Sequence, residues 1–408
     1  MRYVIIGNSA AGVGAVEGIR QADRQGEITV IADEPHHTYS RPLISYLLLG
    51  KVAEEGMRYR GESFYKENNC TLLQDEAVQI DPQAKQVILA GGRAVPYDKL
   101  LVATGSSAFV PPFEGLDTVS EKFTFMRLDD ARALGAALAP DKRAFIVGAG
   151  LIGLKCAEGI LGRMGQVTVA DLAPGILPSI LDEGGARLVQ RHLEGKGVEF
   201  RLGAGVKRFE GNSAVLESGE RIDFDLLVLA AGVRPNTALL KGIAAIDRGV
   251  IVNEKSETSA PDIYAAGDCT QSLDCSSGQR KIMALLPNAY MQGECAGVNM
   301  AGGEKSFGKA IPMNAIGFFG LHILTAGNYT GEVYAEEGDG AYKRLFYRAN
   351  RLNGYILIGN VEKAGIYTGL IREGTPLDTI DFALLCARPG LMAFAQGDRA
   401  AKLGGETA

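Results

Sequence analysis

A repeated unit constrains the fold of this sequence more than any other feature. Each copy contains an apolar strand, a glycine-rich turn, a helix and a second strand that ends at an acidic residue. The first copy runs from Tyr3 to Asp33, and the second runs from Ala144 to Asp171. Continuous apolar strands joined by crossover helices are typical of parallel sheets that are buried on both faces. The repeat therefore predicts two Rossmann-type units and two bound nucleotides.

The glycine turns indicate where the two nucleotides bind. In such a turn one glycine permits the tight bend, a second lets a pyrophosphate approach, and a third allows the helix to pack closely. The N-terminus of the helix then favours the negative charge of the phosphates. The second turn fits this pattern with Gly148, Gly150, Leu151, Ile152 and Gly153. The first turn contains Gly7, Ser9, Ala10, Ala11 and Gly12, so that a serine replaces the middle glycine.

The acids after the second strands predict which nucleotides are bound. An acid at this position accepts hydrogen bonds from an adenosine ribose. Asp171 fills this role in the second copy, and no arginine follows it to hold a 2′-phosphate, which predicts NADH rather than NADPH. In the first copy either Asp33 or Glu34 could contact the ribose, and the choice between them is open.

Length and composition set the domain organisation and exclude several classes of protein. A chain of 408 residues is too long for one hydrophobic core, so about three domains are expected. We predict an FAD-binding domain over 1–112 and 245–304, an NAD-binding domain over 113–244 and a C-terminal α+β domain over 305–408. The net charge of -6 argues against a nucleic-acid partner, and no apolar run is long enough to span a membrane. The scattered cysteines and histidines show no metal-ligand spacing and favour a reducing, cytoplasmic compartment.

Several segments together carry a family resemblance. They are GNSAAG at 7–12, DEPHHTYSRP at 33–42, YDKLLVATGS at 97–106, FMRLDDA at 125–131, GAGLIG at 148–153, LAAGVRPN at 229–236, TSAPDIYAAGDC at 258–269 and LPNAYMQG at 286–293. In this order and spacing, the chain resembles the pyridine nucleotide-disulfide oxidoreductases, the two-dinucleotide flavoproteins that include NADH:rubredoxin and ferredoxin reductases, NADH oxidases and the flavin part of nitrite reductases. The resemblance implies an α/β fold of the glutathione-reductase type, with FAD as the first cofactor and NADH or NAD+ as the second.

The resemblance also implies roles for individual residues. It places Asp268 at the FAD ribityl chain, Arg127 near the FAD phosphate or adenine, and Gly232 at the NAD site. It places the start of a helix, at Pro287 and Asn288, beside the flavin pyrimidine. Other residues that it places around the FAD are Ala77, Ala103, Thr104, Gly105 and Gly267, and those near the isoalloxazine are Arg41, Pro42, Ser45 and Tyr46.

Departures from the family pattern narrow the range of functions that the resemblance implies. No cysteine lies between Met1 and Asn69, so a disulfide reductase lacks its thiolate in the expected place. Tyr46 replaces a lysine found in many ferredoxin-type reductases, and Lys155 replaces a glutamate found in many relatives. These changes alter the charge near the flavin and the nicotinamide.

We expect hydride to pass between NADH and FAD, and electrons to pass between FAD and an iron–sulfur protein or partner subunit. This chemistry requires no metal, and no catalytic residue beyond the flavin is assigned. The alternatives are an NADH oxidase that reduces dioxygen, a flavin-based NADH-binding sensor, and a disulfide reductase. The resemblance allows either a homodimer or a subunit of a mixed complex.

Overall fold

A computed structural model describes residues 1–338 and 340–404. The chain divides into two compact units. The first unit contains 1–175, 197–273 and 280–308, and the second contains 176–196, 274–279 and the described residues from 309 onward. This division does not test the three predicted domain boundaries, which stay predictions.

The first unit contains two parallel sheets built on the same plan. The first has the order β19-β7-β1-β2-β3, formed by β1 (Arg2–Ile6), β2 (Glu27–Ala32), β3 (Cys70–Gln74), β7 (Lys99–Val102) and β19 (Ile263–Ala265). The second has the order β12-β11-β10-β16-β9, formed by β9 (Lys122–Phe123), β10 (Arg143–Val147), β11 (Gln166–Asp171), β12 (Val198–Leu202) and β16 (Leu226–Leu229). Both repeated units predicted from the sequence are therefore confirmed.

Crossover helices follow both glycine turns. Helix α1 (Ala10–Ala22) follows β1, and α5 (Leu151–Ile160) follows β10. Apolar side chains of β1, such as Ile5 at 0% exposure, are buried, as expected for strands covered on both faces. The other helices of this unit are α2 (Ile44–Leu48), α3 (Phe64–Glu67), α4 (Leu128–Ala137) and α7 (Leu286–Met300).

Helices α1 and α7 approach each other unusually closely. A Cβ at Gly293 of α7 would lie 2.0 Å from the carbonyl oxygen of Ala11, and one at Gly297 would lie 2.2 Å from that of Ala15. Gly14 of α1 makes the reciprocal approach to the Tyr290 carbonyl oxygen. Glycines on both helices therefore let the two backbones touch.

The structure also contains several smaller sheets. A three-stranded sheet contains β4 (Ala77–Asp81), β5 (Gln86–Leu89) and β6 (Ala94–Pro96), and a two-stranded ribbon pairs β8 (Ser106–Ala108) with β17 (Val233–Pro235). Two further three-stranded sheets contain β13 (Val206–Phe209), β14 (Ser213–Leu216) and β15 (Arg221–Asp223), and β18 (Val250–Ile251), β20 (Thr270–Asp274) and β21 (Gln279–Lys281).

The second unit is built on a five-stranded antiparallel sheet. Its order is β22-β23-β26-β25-β24, with β22 (Met313–Phe318), β23 (Leu321–Gly327), β24 (Glu332–Gly338), β25 (Ala341–Arg348) and β26 (Arg351–Ile358). Its helices are α6 (Glu183–Glu194), α8 (Ala364–Glu373), α9 (Phe382–Ala387) and α10 (Gln396–Gly404).

Helix α6 belongs to this second unit although its sequence lies between β11 and β12. The Tyr342 hydroxyl of β25 donates to Asp182 Oδ2 over 2.6 Å, and Asp182 is the N-cap of α6. The Tyr329 hydroxyl donates to the Ile180 carbonyl oxygen over 2.9 Å. In residues 1–338 and 340–404, no helix is long and apolar enough to cross a membrane.

Candidate functional site

The first glycine turn forms a cradle that only glycines allow. Gly7 has a φ of 120°, and a Cβ there would lie 2.1 Å from the Ala103 carbonyl oxygen. A Cβ at Gly12 would lie 2.0 Å from the Gly7 carbonyl oxygen, so the start of α1 can pack this closely only because position 12 has no side chain. Ser9 is the N-cap of α1, yet no side chain caps the first turn. The first backbone N–H groups of α1 are thus available to an anion.

The second glycine turn repeats this geometry. Gly148 has a φ of 119°, and its Cβ would lie 2.2 Å from the Ala230 carbonyl oxygen. A Cβ at Gly153 would lie 1.9 Å from the Gly148 carbonyl oxygen. At Gly150, the N-cap of α5, a Cβ would meet nothing within 4 Å, which leaves the helix N-terminus open to a phosphate.

The strand register shows which residue of the first copy is equivalent to Asp171 of the second. Ile6 pairs with Ile31 in the first sheet, and Val147 pairs with Ala170 in the second. The residue that corresponds to Asp171 is therefore Ala32, and the two candidate acids of the first copy lie one and two residues beyond it. Asp171 itself is fixed by the backbone, because it accepts hydrogen bonds from the Ala149 N–H over 2.6 Å and the Ala173 N–H over 2.8 Å.

Asp33 and Glu34 differ in their surroundings. The Asp33 side chain is half-exposed and accepts from Arg127 Nη2 over 2.7 Å. Glu34 is buried, pairs with Arg41 and accepts from the Tyr39 hydroxyl over 2.6 Å. Glu34 is thus held in place inside the protein, whereas Asp33 is held at the surface.

The segments DEPHHTYSRP and FMRLDDA, which are distant in sequence, bind each other. Besides the Asp33–Arg127 pair, Arg41 Nη1 donates to the Met126 carbonyl oxygen over 3.2 Å, and the Leu128 N–H donates to the Tyr39 hydroxyl over 3.0 Å. His36 Nε2 lies 3.0 Å from the Asp129 carboxylate. The sequence did not single out this role of His36, because the contact joins positions far apart in the chain.

Asp268 lies in a turn that the rest of the site holds firmly. Gly267 has a φ of 82°, and its N–H donates to Gln292 Oε1 of α7 over 2.8 Å. The Ser106 hydroxyl donates to Asp268 Oδ2 over 3.3 Å. Burial raises the pKa of Asp268, and the Ser106 hydroxyl and the Arg41 charge oppose that rise. The helix predicted to begin near Pro287 does so, since α7 starts at Leu286.

A reciprocal contact joins the two sheets of the first unit. The Thr104 hydroxyl donates to the Asn236 carbonyl oxygen over 2.7 Å, and Asn236 Nδ2 donates to the Thr104 carbonyl oxygen over 2.9 Å. The adjacent turns contain Gly105 with a φ of 64° and Gly232 with a φ of 106°. A Cβ at either glycine would meet nothing within 4 Å, so both turns face open space.

Two unsatisfied polar atoms lie close to Asn8 of the first glycine turn, because the Thr38 N–H donates to the Tyr65 hydroxyl, which itself donates to Asn8 Oδ1. The Thr38 hydroxyl, on a residue that is 1% exposed, and His37 Nε2 are buried without a hydrogen-bond partner among the described residues. Buried polar groups are rarely left unpaired. Together with the two glycine cradles and the half-buried Asp268, these atoms fit a polar ligand with the phosphates and hydroxyl groups of FAD.

Some predicted site residues lie outside the arrangement formed by the two glycine cradles and Asp268. Ala77 begins β4 in a separate small sheet, so its cofactor contact stays a prediction. Pro42 is exposed, and Tyr46 lies beneath the Lys155 ammonium, which is 4.7 Å from the ring centroid. Within 1–338 and 340–404, no cluster of His, Cys, Asp and Glu could hold a metal ion.

Two parallel sheets with matching glycine turns define a protein that binds two dinucleotides. A family model for the pyridine nucleotide-disulphide oxidoreductases matches residues 1–293. The chain belongs to this family, and it is an oxidoreductase that uses FAD and NADH.

The curated relatives include whole proteins and parts of larger ones. The chain is 32% identical to the NADH-dependent phenylglyoxylate dehydrogenase subunit epsilon of Aromatoleum evansii, over 92% of each chain. It is 33% identical to the rubredoxin-NAD(+) reductase of Pseudomonas putida, over 74% of this chain and 80% of that one. It is 32% identical to the nitrite reductase [NAD(P)H] of Bacillus subtilis, where 91% of this chain spans 47% of the relative.

A solved structure shows the same fold. A chain in the crystal structure of the covalent putidaredoxin reductase–putidaredoxin complex is similar with a TM-score of 0.87 and 24% identity. The similarity covers 94% of this chain and 95% of that one. The predicted α/β fold is confirmed.

Proposed function

We propose that this chain passes hydride between NADH and FAD, and passes electrons between FAD and an iron–sulfur protein or partner subunit. The observation that carries this proposal is the pair of glycine cradles in equivalent register, on two sheets joined through Thr104 and Asn236. When bound, the nicotinamide exchanges a hydride with the flavin, which can release electrons singly. The protein's own contribution is to hold and orient the two groups.

The geometry supports a specific division of the site residues. We assign the α1 cradle, Asp268 and the α7 N-terminus to FAD, and the α5 cradle, Asp171 and Gly232 to NADH. For the FAD ribose we favour Glu34 over Asp33, because Glu34 is buried on the inner side of the segment and Asp33 is held outward by Arg127.

The cysteines support electron transfer over disulfide reduction. Cys269, next to Asp268, is fully buried, and burial raises the pKa of its thiol to about 11. Burial likewise raises the pKa of the Cys70 thiol to about 11. A thiol with such a pKa is almost entirely protonated at neutral pH and is a poor nucleophile. Neither cysteine is suited to attack a disulfide.

Two relatives support the class of electron partner. One is named a rubredoxin-NAD(+) reductase, and another is named as one subunit of an NADH-dependent dehydrogenase. Both names are compatible with a chain that connects NADH to a second redox protein. A cytoplasmic location is our further proposal, supported by six cysteines that are all free.

An anaerobic stopped-flow experiment tests the function. The FAD-loaded protein is reduced with one equivalent of NADH and then mixed with rubredoxin, with ferredoxin or with dissolved oxygen. Fast reoxidation by an iron–sulfur protein and slow reoxidation by oxygen is the expected result. Fast reoxidation by oxygen alone would instead identify an NADH oxidase. A Cys269→Ala variant that still reduces the iron–sulfur acceptor would exclude a role for that thiol.

A further inference from the structure

Helices α2 and α5 pack against each other where the two nucleotide-binding halves of the first unit meet. Helix α2 follows Arg41 and Pro42, and α5 begins at the second glycine cradle. A Cβ at Gly159 of α5 would lie 3.2 Å from the Ser45 carbonyl oxygen and 3.3 Å from Leu48 Cβ of α2. The two helices therefore pack backbone to backbone at one point.

A charged cluster lies one helical turn from that point. Lys155 forms an ion pair with Glu158, and the two side chains are only 17% and 5% exposed. Lys155 Nζ also lies 4.7 Å from the centroid of the Tyr46 ring of α2. Positions 155, 158 and 159 share one face of α5, because residues three and four apart are neighbours on a helix. The cluster thus forms part of the same α2–α5 contact.

Helix packing alone does not explain a charge at this position. Removing an ammonium and a carboxylate from water is costly, and apolar residues of similar size often replace a buried ion pair without loss of stability. A cation over an aromatic face is attracted more strongly when it is desolvated. A cation over one ring face favours a single orientation of the two helices more strongly than a flexible apolar side chain would.

We propose that Lys155 is a positioning residue. Its ammonium, held between Glu158 and the Tyr46 ring, fixes the second glycine cradle, at the start of α5, against helix α2 beside the proposed flavin site. This inference rests on the proposed function, because it concerns hydride transfer between the two cofactors. It also explains the two departures from the family pattern together, because Lys155 of α5 supplies the cation and Tyr46 of α2 supplies the aromatic ring that the cation contacts.

Rapid mixing of the FAD-loaded protein with NADH under anaerobic conditions tests the proposal. The rate of flavin reduction, the NADH dissociation constant and the long-wavelength charge-transfer absorbance are measured in the same experiment. Lys155→Met and Tyr46→Leu should each slow flavin reduction on the order of tenfold and weaken the charge-transfer band. NADH affinity should change by less than about twofold, since no group that holds the nucleotide phosphates is removed.

Three further variants and one matched control separate positioning from folding. The double variant Lys155→Met/Tyr46→Leu should be no slower than either single variant, because both break the same contact. Tyr46→Phe keeps the ring and should recover most of the rate lost in Tyr46→Leu. Lys155→Met/Glu158→Gln removes both charges together, which keeps the test valid if a single variant folds poorly. Lys51→Met is the matched control: its ammonium is 5.8 Å from the same ring but is exposed, and its loss should have little effect.

Different results would overturn different proposals. An unchanged reduction rate and charge-transfer band in Lys155→Met would refute the positioning role and leave the proposed function intact. Additive losses in the double variant would refute the Tyr46 contact as its basis. If NADH does not reduce the flavin of the unaltered protein, the proposed function is wrong and the positioning role is wrong with it.

Discussion

Replacing Gly293 by alanine should disturb FAD binding from outside the cofactor site. Gly293 lies in α7, and its added Cβ would be 2.0 Å from the Ala11 carbonyl oxygen of α1. An ordinary carbon–oxygen contact is about 3.3–3.6 Å, so the helices must separate by more than about 1 Å. Both are long helices in mutual contact, so neither can relieve the clash by rotating one side chain.

The expected loss of stability follows from two opposing effects. Forcing a methyl group into a close-packed contact typically costs about 1–3 kcal/mol. Alanine gains up to about 1 kcal/mol over glycine in helix propensity. We expect a net loss of about 1–2 kcal/mol, within the range of these two effects. Because α1 and the start of α7 both line the proposed FAD site, part of the loss should appear as weaker FAD retention.

Urea unfolding of the FAD-loaded and FAD-free proteins measures both effects. Gly369→Ala is the matched control, because it makes the same change inside helix α8, where the nearest atom outside the local helix backbone lies 3.9 Å from the added Cβ. The control should be neutral or slightly more stable. Gly293→Ala protein with unchanged stability and full FAD content would show that the close α1–α7 approach has no energetic importance.

Three other substitutions test individual site residues. Asp171→Ser should lower the ratio of kcat/KM for NADH to kcat/KM for NADPH by roughly tenfold or more, because a charged hydrogen bond to the ribose contributes about 1.5–3 kcal/mol. An unchanged ratio would show that Asp171 does not contact the coenzyme. Burial raises the pKa of Asp268, so its carboxylate destabilises the FAD-free protein increasingly as pH rises above about 4. At pH 7, FAD-free Asp268→Asn protein should therefore unfold at a higher urea concentration than the unaltered protein, and this difference should vanish near pH 4. The same variant should retain FAD less well. Tighter FAD retention would contradict the assignment of Asp268 to the FAD site. Cys269→Ala should keep its FAD and its rate of electron transfer to an iron–sulfur acceptor, and a loss of that rate with FAD still bound would implicate the thiol.

The sequence predicts the cradles well because their physical causes are local. Gly7 and Gly148 both require a positive φ and both meet a carbonyl oxygen where a Cβ would be, so each position admits only glycine. The two copies are predicted to start at Tyr3 and Ala144, each one residue after the start of the observed strand, since burial on both faces leaves an unbroken apolar run. A local pattern of this kind is visible without knowledge of the rest of the fold.

Features that depend on pairing between distant segments could not be predicted in the same way. The acid position of the first copy is set by the register between β1 and β2, which places Ala32 where the second copy has Asp171. The assignment of α6 to the second unit depends on Tyr342 and Asp182, which are distant in sequence. The family resemblance identified Tyr46 and Lys155 as two separate substitutions, whereas the fold brings them into contact.

Segment 33–46 connects the parts of the site that the sequence shows as separate motifs. It begins at the Asp33–Arg127 pair and continues through Glu34 to Arg41, whose charge opposes the burial-driven rise in the pKa of Asp268. It then enters α2 and ends at the Tyr46 ring beneath Lys155 of α5. One continuous stretch therefore links the ribose side of the proposed FAD site to the helix that carries the NADH cradle. Substitutions at Tyr46 should consequently change the rate of hydride transfer between the two nucleotides, through the orientation of α5, rather than the affinity for NADH.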